Sequence, residues 1–244
     1  MNQPPARRAW LLLAAACPET KPETLAGFNI GRRDACLLTL REWTFGPHLE
    51  SVVNCPACSE RMEFKFAVAD IRVEGDATLP DGKDTDSQDI VLNLERSGYR
   101  VCFRLPNSRD LLGLSENRRM AGDLQKAYAA LLARCLLAVE RDGTTLSPVV
   151  PGELPPELIA AVVERMAQAD PQADVMLSLH CPACRHQWQA SFDIVMFFWQ
   201  EIDAWAQRLL DDVHTLAAAY GWREADILAF SPYRRQCYLD RVRG

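Results

Sequence analysis

The sequence contains no apolar run near the roughly 20 residues that a membrane-spanning helix needs, so we expect no membrane span. It also lacks an excess of positive charge, because 27 lysines and arginines stand against 33 aspartates and glutamates and give a net charge of -6. A nucleic-acid-binding surface has the opposite balance, and we expect no nucleic-acid partner. The 12 glycines are scattered, and neither a phosphate-cradling loop nor a nucleophile elbow is present. We therefore assign no catalytic residue and expect a protein that is not an enzyme.

Length and composition are those of a soluble globular protein. The chain has 244 residues, of which 48% are hydrophobic and 25% are charged, and it is long enough for one large or two small domains. Residues 74–89 carry six acidic residues and one lysine, which predicts a solvated loop. Residues 142–156 carry four prolines and two glycines, which predicts a connector. We therefore predict an N-terminal half at residues 1–141, the connector, and a C-terminal half at residues 157–244.

Cysteine usage bears on the compartment of the protein. Nine cysteines are present, and four of them lie in two identical CPAC tetrapeptides, a pattern typical of metal binding rather than of a disulfide framework. Reduced thiols indicate a cytoplasmic protein. The apolar run 9–16 between Arg8 and Cys17 mimics a short lipoprotein signal peptide. The run is short and Pro18 follows the cysteine, so we favour a buried first helix.

Hydrophobic periodicity predicts an α+β protein that is mainly helical. An amphipathic stripe predicts a helix within residues 111–139, and a longer stripe predicts a helix over residues 192–220. Shorter helices are predicted at residues 156–169 and 233–242, each next to a proline that favours a first helical turn. Alternating apolar residues on both sides of Ser97-Gly98 predict two strands joined by a turn.

The two CPAC tetrapeptides begin at Cys55 and Cys181, and similar residues follow both at the same offsets, which indicates an internal duplication. Alternating residues on either side place each tetrapeptide in the bend of a β-hairpin, which is half of a zinc ribbon. Zinc takes four soft ligands in a tetrahedron, and a C-x-x-C turn directs two thiolates to one point. We therefore predict one structural zinc that joins the two halves of the chain. Its predicted ligands are Cys55, Cys58, Cys181 and Cys184.

Three alternatives to a shared zinc stay open at this point. The 122 residues at positions 59–180 are far more than compact ribbons contain between their cysteine pairs, which favours separate metal sites. In that case His180 or His186 completes the second site. Another alternative is a redox C-x-x-C, although neither copy has the strand-to-helix context of a thioredoxin-like site. The third is that neither pair binds metal.

The most specific motifs outside the cysteines lie near the C-terminus. An aromatic-rich helix leads into Tyr220-Gly221-Trp222, and Ser231-Pro232-Tyr233-Arg234-Arg235 follows. With weaker similarities at residues 31–40, 45–46 and 103–111 and at the first CPAC, this pattern resembles the family of T-even-phage-type baseplate hub assembly chaperones, which also occurs with contractile injection systems. The resemblance implies a cytoplasmic, non-enzymatic protein whose partners are baseplate or hub proteins and which need not stay in the finished particle. It does not imply zinc, which rests on the cysteine spacing.

Apolar and basic side chains on the last helices are candidates for a partner-binding surface. They are Trp222, Ile227, Leu228, Phe230, Tyr233, Arg234, Arg235 and Tyr238. The alternative is that they form plain core, because short helices bury their apolar face. We therefore expect an assembly factor or baseplate-associated component of a contractile injection or phage-tail-like system. The alternative function is a zinc-ribbon interaction or regulatory module unrelated to tails.

Overall fold

A computed structural model describes residues 3–73, 79–80, 90–115 and 123–244. Their contacts group the chain into two units, Met1–Val195 and Met196–Gly244. The acidic segment that was predicted as a solvated loop lies outside the described residues, except at positions 79–80. The connector predicted at residues 142–156 contains one short strand and one turn of 3-10 helix, and its role in separating two halves stays a prediction.

The described part of the chain mixes helices and strands, which confirms the predicted class. The helices are α1 (Pro5–Ala16), α2 (Pro22–Ala26), α3 (Ile30–Phe45), α4 (Val68–Ile71), α5 (Ser108–Ser115), α6 (Leu124–Cys135), α7 (Pro156–Ala169), α8 (Ile194–Tyr220), α9 (Glu224–Leu228) and α10 (Pro232–Arg243). The strands are β1 (His48–Asn54), β2 (Arg61–Ala67), β3 (Val91–Arg96), β4 (Tyr99–Arg104), β5 (Leu136–Arg141), β6 (Thr144–Thr145), β7 (Val175–His180) and β8 (Gln187–Phe192).

The first unit contains one four-stranded antiparallel sheet and two separate hairpins. The sheet has the strand order β3-β4-β5-β6, and the hairpins are β1-β2 and β7-β8. One face of the sheet is buried beneath α7 and the residues that precede it, through a cluster of apolar side chains. The cluster consists of Val101, Phe103, Leu136, Val139, Leu154, Leu158 and Val162. Burial of this apolar area is the main source of stability in this part of the unit.

The predicted helix within residues 111–139 is wrong at its C-terminal end. Helix α6 stops at Cys135, and the next residues form β5, in which Val139 lies opposite Val101 of β4. Both of these valines are fully buried. A short apolar run such as residues 136–139 fits a buried strand as well as a helix, and here its pairing with β4 decides the outcome.

The N-terminal apolar run lies within α1, as we favoured. Ala6, Ala9 and Leu13 are buried on one face of the helix. Helix α1 packs against α2 and α3. Within the described residues, no helix is long and apolar enough to cross a membrane.

The second unit is helical, and the helices predicted there are present. The long helix begins at Ile194 and not at residue 192, because Phe192 is the last residue of β8. Helix α8 ends at Tyr220, after which Gly221 has a φ of 67°, a left-handed conformation that favours glycine. The hydroxyl of Ser231 accepts a hydrogen bond from the Arg234 N–H and caps α10. Side chains from α8, α9 and α10 form a small core. Its buried members are Val213, Leu216, Ile227 and Leu239.

A buried ion pair joins the end of β4 to the start of α5. Both terminal nitrogens of Arg104 donate to the carboxylate of Asp110, at 2.7 and 2.8 Å. The Asn107 N–H donates to the same carboxylate at 3.0 Å, and the Asn107 side chain accepts from the Asp110 N–H. Burial raises the pKa of Asp110, but the hydrogen bonds from Arg104 and Asn107 outweigh it and hold the pKa below its ordinary value of 3.8. The ionised carboxylate therefore stabilises the fold.

We expect Asp110→Asn to lower the free energy of unfolding by about 2 to 3 kcal/mol at pH 7. Because the folded-state pKa of Asp110 is depressed, its contribution is full above the unfolded value and is lost as the pH falls below 3.8. Urea unfolding at pH 7 and pH 3 should therefore give a smaller difference between wild type and variant at pH 3. Asp123→Asn, on the exposed cap of α6, is the control and should have a much smaller effect. An Asp110→Asn effect of equal size at both pH values contradicts the assignment.

Candidate metal centre

The first CPAC tetrapeptide occupies the turn of the hairpin β1-β2. The strands pair from His48 opposite Ala67 to Asn54 opposite Arg61. The Cys55 N–H then donates to the Glu60 carbonyl at 2.9 Å, and the Ser59 N–H donates to the Cys55 carbonyl at 2.8 Å. Ser59 has a φ of 60°, which reverses the chain directly after Cys58.

The turn of the second hairpin, β7-β8, has the same hydrogen bonds as the first. Corresponding residues are 126 positions apart, as Cys55 and Cys181 are. The Cys181 N–H donates to the His186 carbonyl at 2.9 Å, and the Arg185 N–H donates to the Cys181 carbonyl at 2.9 Å. Arg185 has a φ of 63°, which matches that of Ser59. The similar offsets seen in the sequence therefore correspond to the same backbone structure.

The two turns bring together four thiol sulfurs that lie far apart in the sequence. The Cys55 and Cys184 sulfurs are 3.7 Å apart, the Cys58 and Cys181 sulfurs are 3.6 Å apart, and all four lie within 4.8 Å of one another. Zinc–sulfur bonds of about 2.3 Å in a tetrahedron place the sulfurs about 3.8 Å apart. A disulfide requires about 2.05 Å, and the four cysteines are free. The arrangement is therefore that of a tetrathiolate metal site.

The pKa values of the cysteines reflect the crowding of four ionisable thiols. Burial raises the pKa of Cys55, but backbone N–H groups of its own turn outweigh it and lower the pKa to about 7. The Glu60 N–H lowers the pKa of Cys58, yet the neighbouring thiols, Cys184 foremost, raise it to about 12. Like charges at such short distance cannot all form unless a cation compensates them. A bound dication would supply that charge and keep all four as thiolates.

Local twofold symmetry relates the two hairpins. Each cysteine corresponds to the one 126 positions away in the other hairpin. This correspondence relates the Cys55–Cys184 sulfur pair to the Cys181–Cys58 pair. Phe66 and Phe192 are also counterparts, and their rings contact each other edge to face with centroids 5.5 Å apart. Cys55 and Cys181 are buried, whereas Cys58 and Cys184 are exposed. The cluster therefore has an inner and an outer pair of candidate ligands.

Buried polar contacts hold the two hairpins in register with each other. Gln172, which precedes β7, accepts a hydrogen bond from the Val73 N–H at 2.7 Å and donates to the Ile71 carbonyl at 3.2 Å. Its side chain thus joins the segment that enters the second hairpin to the segment that leaves the first. The carboxylate of Asp170 accepts from the Gly31 N–H of α3 at 3.0 Å. A Cβ at Gly31 would collide with Asp170, so only glycine permits this contact.

Comparison with known families identifies the protein class. A family model described as T4 bacteriophage base plate protein matches residues 8–199. The chain belongs to this family. The match spans both CPAC hairpins and the weaker N-terminal similarities, but it ends before Tyr220-Gly221-Trp222 and the Ser-Pro motif. Comparison with curated proteins and with solved structures found no match.

The residues predicted as a partner surface of this baseplate protein divide by burial. Ile227 is fully buried in the core of the second unit. Trp222, Phe230, Arg235 and Tyr238 are half-buried, and the exposed members are Leu228, Tyr233 and Arg234. Tyr233 has the largest exposure among the apolar members, at 82%.

The half-buried aromatic members of this set contact one another. Trp222 stacks on Tyr220 with ring centroids 4.5 Å apart and meets Tyr238 and Phe230 edge to face at 4.8 and 5.4 Å. The guanidinium of Arg234 lies 4.6 Å from the centre of the Phe230 ring. These contacts stabilise the small helical unit of the baseplate protein. A role in partner binding stays a prediction for the whole set.

Proposed function

We propose that this baseplate protein is a non-enzymatic assembly factor, or chaperone, of a contractile injection or phage-tail-like particle, and that one structural zinc joins its two hairpins. Family membership over residues 8–199 supports the link to baseplate proteins. It also makes a module unrelated to tails the less favoured alternative. The four converging thiol sulfurs support the metal.

Ligand chemistry supports zinc in a structural rather than a catalytic role. Four thiolates at these separations match the ligand type and spacing of structural zinc sites. Four protein ligands complete a tetrahedron, so no position is left for water or substrate. Separate sites completed by His180 or His186 are disfavoured, because among the described residues the metal-binding group consists of cysteines alone. Zinc here would hold the chain together and would not act on a substrate.

Energetics favour a shared site despite the long intervening chain. Each doubling of a flexible loop costs only about 0.6 kcal/mol, and a structural zinc provides on the order of 10 kcal/mol. The contacts of Gln172 and Asp170 reduce the entropy lost when the hairpins meet. The free energy of zinc binding therefore exceeds the entropic cost of joining the two hairpins across residues 59–180.

A cytoplasmic location fits this proposal. All nine cysteines lie in the described part of the chain, and none of them is in a disulfide. Free thiols and a thiolate metal site are both typical of a reducing compartment, where particle components are made and assembled.

We expect that deletion of the gene in a particle-producing strain reduces the yield of complete baseplates at least about tenfold. Replacement of Cys55 by serine should have a similar effect, because loss of zinc destabilises the factor. Electron microscopy of lysates measures the yield, and mass spectrometry of purified particles tests for the protein itself. A chaperone is absent from finished particles, whereas a structural component is present in fixed copy number. Cys102→Ser, outside the cluster, is the control and should assemble normally. Normal baseplates in the deletion strain would rule out the assembly role.

A further inference from the structure

The two hairpins share a backbone but differ in the chemistry of their exposed faces. The outer face of β1-β2 carries Glu50, Val52, Asn54, Arg61, Glu63 and Lys65, all exposed. The counterparts on β7-β8, each 126 positions later, are Met176, Ser178, His180, Gln187, Gln189 and Ser191, also all exposed. Four charged side chains on the first hairpin thus correspond to none on the second.

The difference in charge is clearest at one cross-strand pair. Glu50 and Lys65 face each other across β1-β2 and form an ion pair with a nitrogen–oxygen distance of 2.5 Å. Met176 and Ser191 occupy the same register across β7-β8. The metal geometry does not require this difference, because both hairpins supply the same pair of ligands through the same turn. The uncharged face therefore needs another explanation.

Strand edges explain why charge on a hairpin matters. Each hairpin sheet has two strands in the described part of the chain, so one edge of every strand is unpaired. Proteins commonly place charged side chains on such strands to prevent pairing with other chains. The first hairpin has this protection and the second does not. The second hairpin is thus the one open to an added strand.

A cavity of about 430 Å³ lies on the second hairpin and extends over both of its strands. Its lining is uncharged and consists of Ser178, Leu179, His180, Gln187, Trp188 and Gln189. An added strand directs alternate side chains to one face, where a long one reaches across the neighbouring strand into the cavity. Amides and hydroxyls around the cavity supply donors and acceptors for hydrogen bonds.

Charge decides which partner suits this surface. A charged segment would lose its hydration against six side chains that carry no opposite charge. Nucleic acid is also unsuited, since the face has no lysine or arginine to neutralise phosphates. We propose that β7-β8 binds an extended, uncharged segment of another baseplate protein as an added β-strand. The proposal rests on the proposed function for the identity of the partner class.

The chain itself provides the test variants. Met176→Glu with Ser191→Lys transfers the Glu50–Lys65 pair to the second hairpin, where the same backbone accommodates it. Gln187→Arg with Gln189→Glu transfers Arg61 and Glu63 and serves as a second, independent variant. Glu50→Met with Lys65→Ser makes the reverse exchange on the first hairpin and is the matched control. One zinc per chain and an unchanged circular dichroism spectrum verify that each variant is folded.

The binding experiment uses full-length protein co-expressed with each affinity-tagged baseplate protein of the same particle. We expect wild type and the Glu50→Met/Lys65→Ser variant to copurify equally with at least one of them. Both variants of the second hairpin should bind at least about tenfold less. Undiminished binding by folded second-hairpin variants overturns the proposed surface alone, as does equal loss in the matched control. The proposal is also overturned if the charges introduced on the second hairpin abolish only the association of this chain with itself and leave binding to baseplate proteins unchanged. If the wild type binds no baseplate protein, the proposed function fails as well.

Discussion

Replacement of either buried ligand, Cys55 or Cys181, by serine is expected to remove zinc from the protein and to lower its free energy of unfolding by roughly 3 kcal/mol or more. Each hairpin supplies two of the four thiolates, so loss of one ligand opens the shell. The two hairpins then lose their strongest connection. Metal analysis of protein purified without added metal should find one zinc per chain in the wild type and none in either variant.

The Cys102→Ser variant is the matched control, since Cys102 lies on β4 outside the cluster. It should keep one zinc and nearly wild-type stability in urea. Loss of metal in only one of the two ligand variants would indicate separate sites and contradict the shared centre. A wild type without metal that forms disulfides reversibly would favour the redox interpretation instead.

Gln172→Met is expected to destabilise the protein by about 2 to 4 kcal/mol, although no metal ligand changes. Methionine has a similar length but pairs with neither the Val73 N–H nor the Ile71 carbonyl, and the side chain of Gln172 is buried. The two backbone groups then stay without their partner in a buried environment. Because this contact holds the hairpins in register, zinc should also transfer faster to a competing chelator.

Gln168→Met provides the comparison, because Gln168 is exposed on α7 and donates a long hydrogen bond of 3.5 Å to the exposed Glu164. Its effect on urea unfolding and on zinc release should be small. If the two glutamine variants unfold at the same urea concentration, Gln172 does not connect the hairpins.

Local patterns predicted much of this structure because they depend on neighbours in sequence. Helix α7 has the predicted bounds, since Pro156 favours its first turn and the chain leaves the helix at Asp170. The repeated CPAC spacing predicted which four cysteines meet. Residues 136–139 were assigned to a helix because their pairing with β4 is a tertiary contact that periodicity does not contain.

The supporting contacts of the site were missed for the same reason. Neither Asp170 nor Gln172 was predicted to support the site, because their partners Gly31 and Val73 lie 139 and 99 positions away. A polar residue shortly before a hairpin that carries candidate ligands was the available signal.

The most specific motifs of the family resemblance lie at residues 220–235, whereas the family model matches residues 8–199. The link to baseplate proteins was therefore predicted correctly, although the match lies outside these motifs, and the chaperone role stays a prediction.

The twofold relation between the hairpins has a consequence for how metal occupancy responds to protein concentration. One hairpin provides half of a tetrahedral shell, so two separate chains that each carried one hairpin would have to meet before either held the ion firmly. Their occupancy would fall on dilution. With both hairpins on one chain, the second pair of thiols is present at a high effective concentration, whatever the amount of protein. A single copy of the chain can thus complete the proposed metal centre without a second copy.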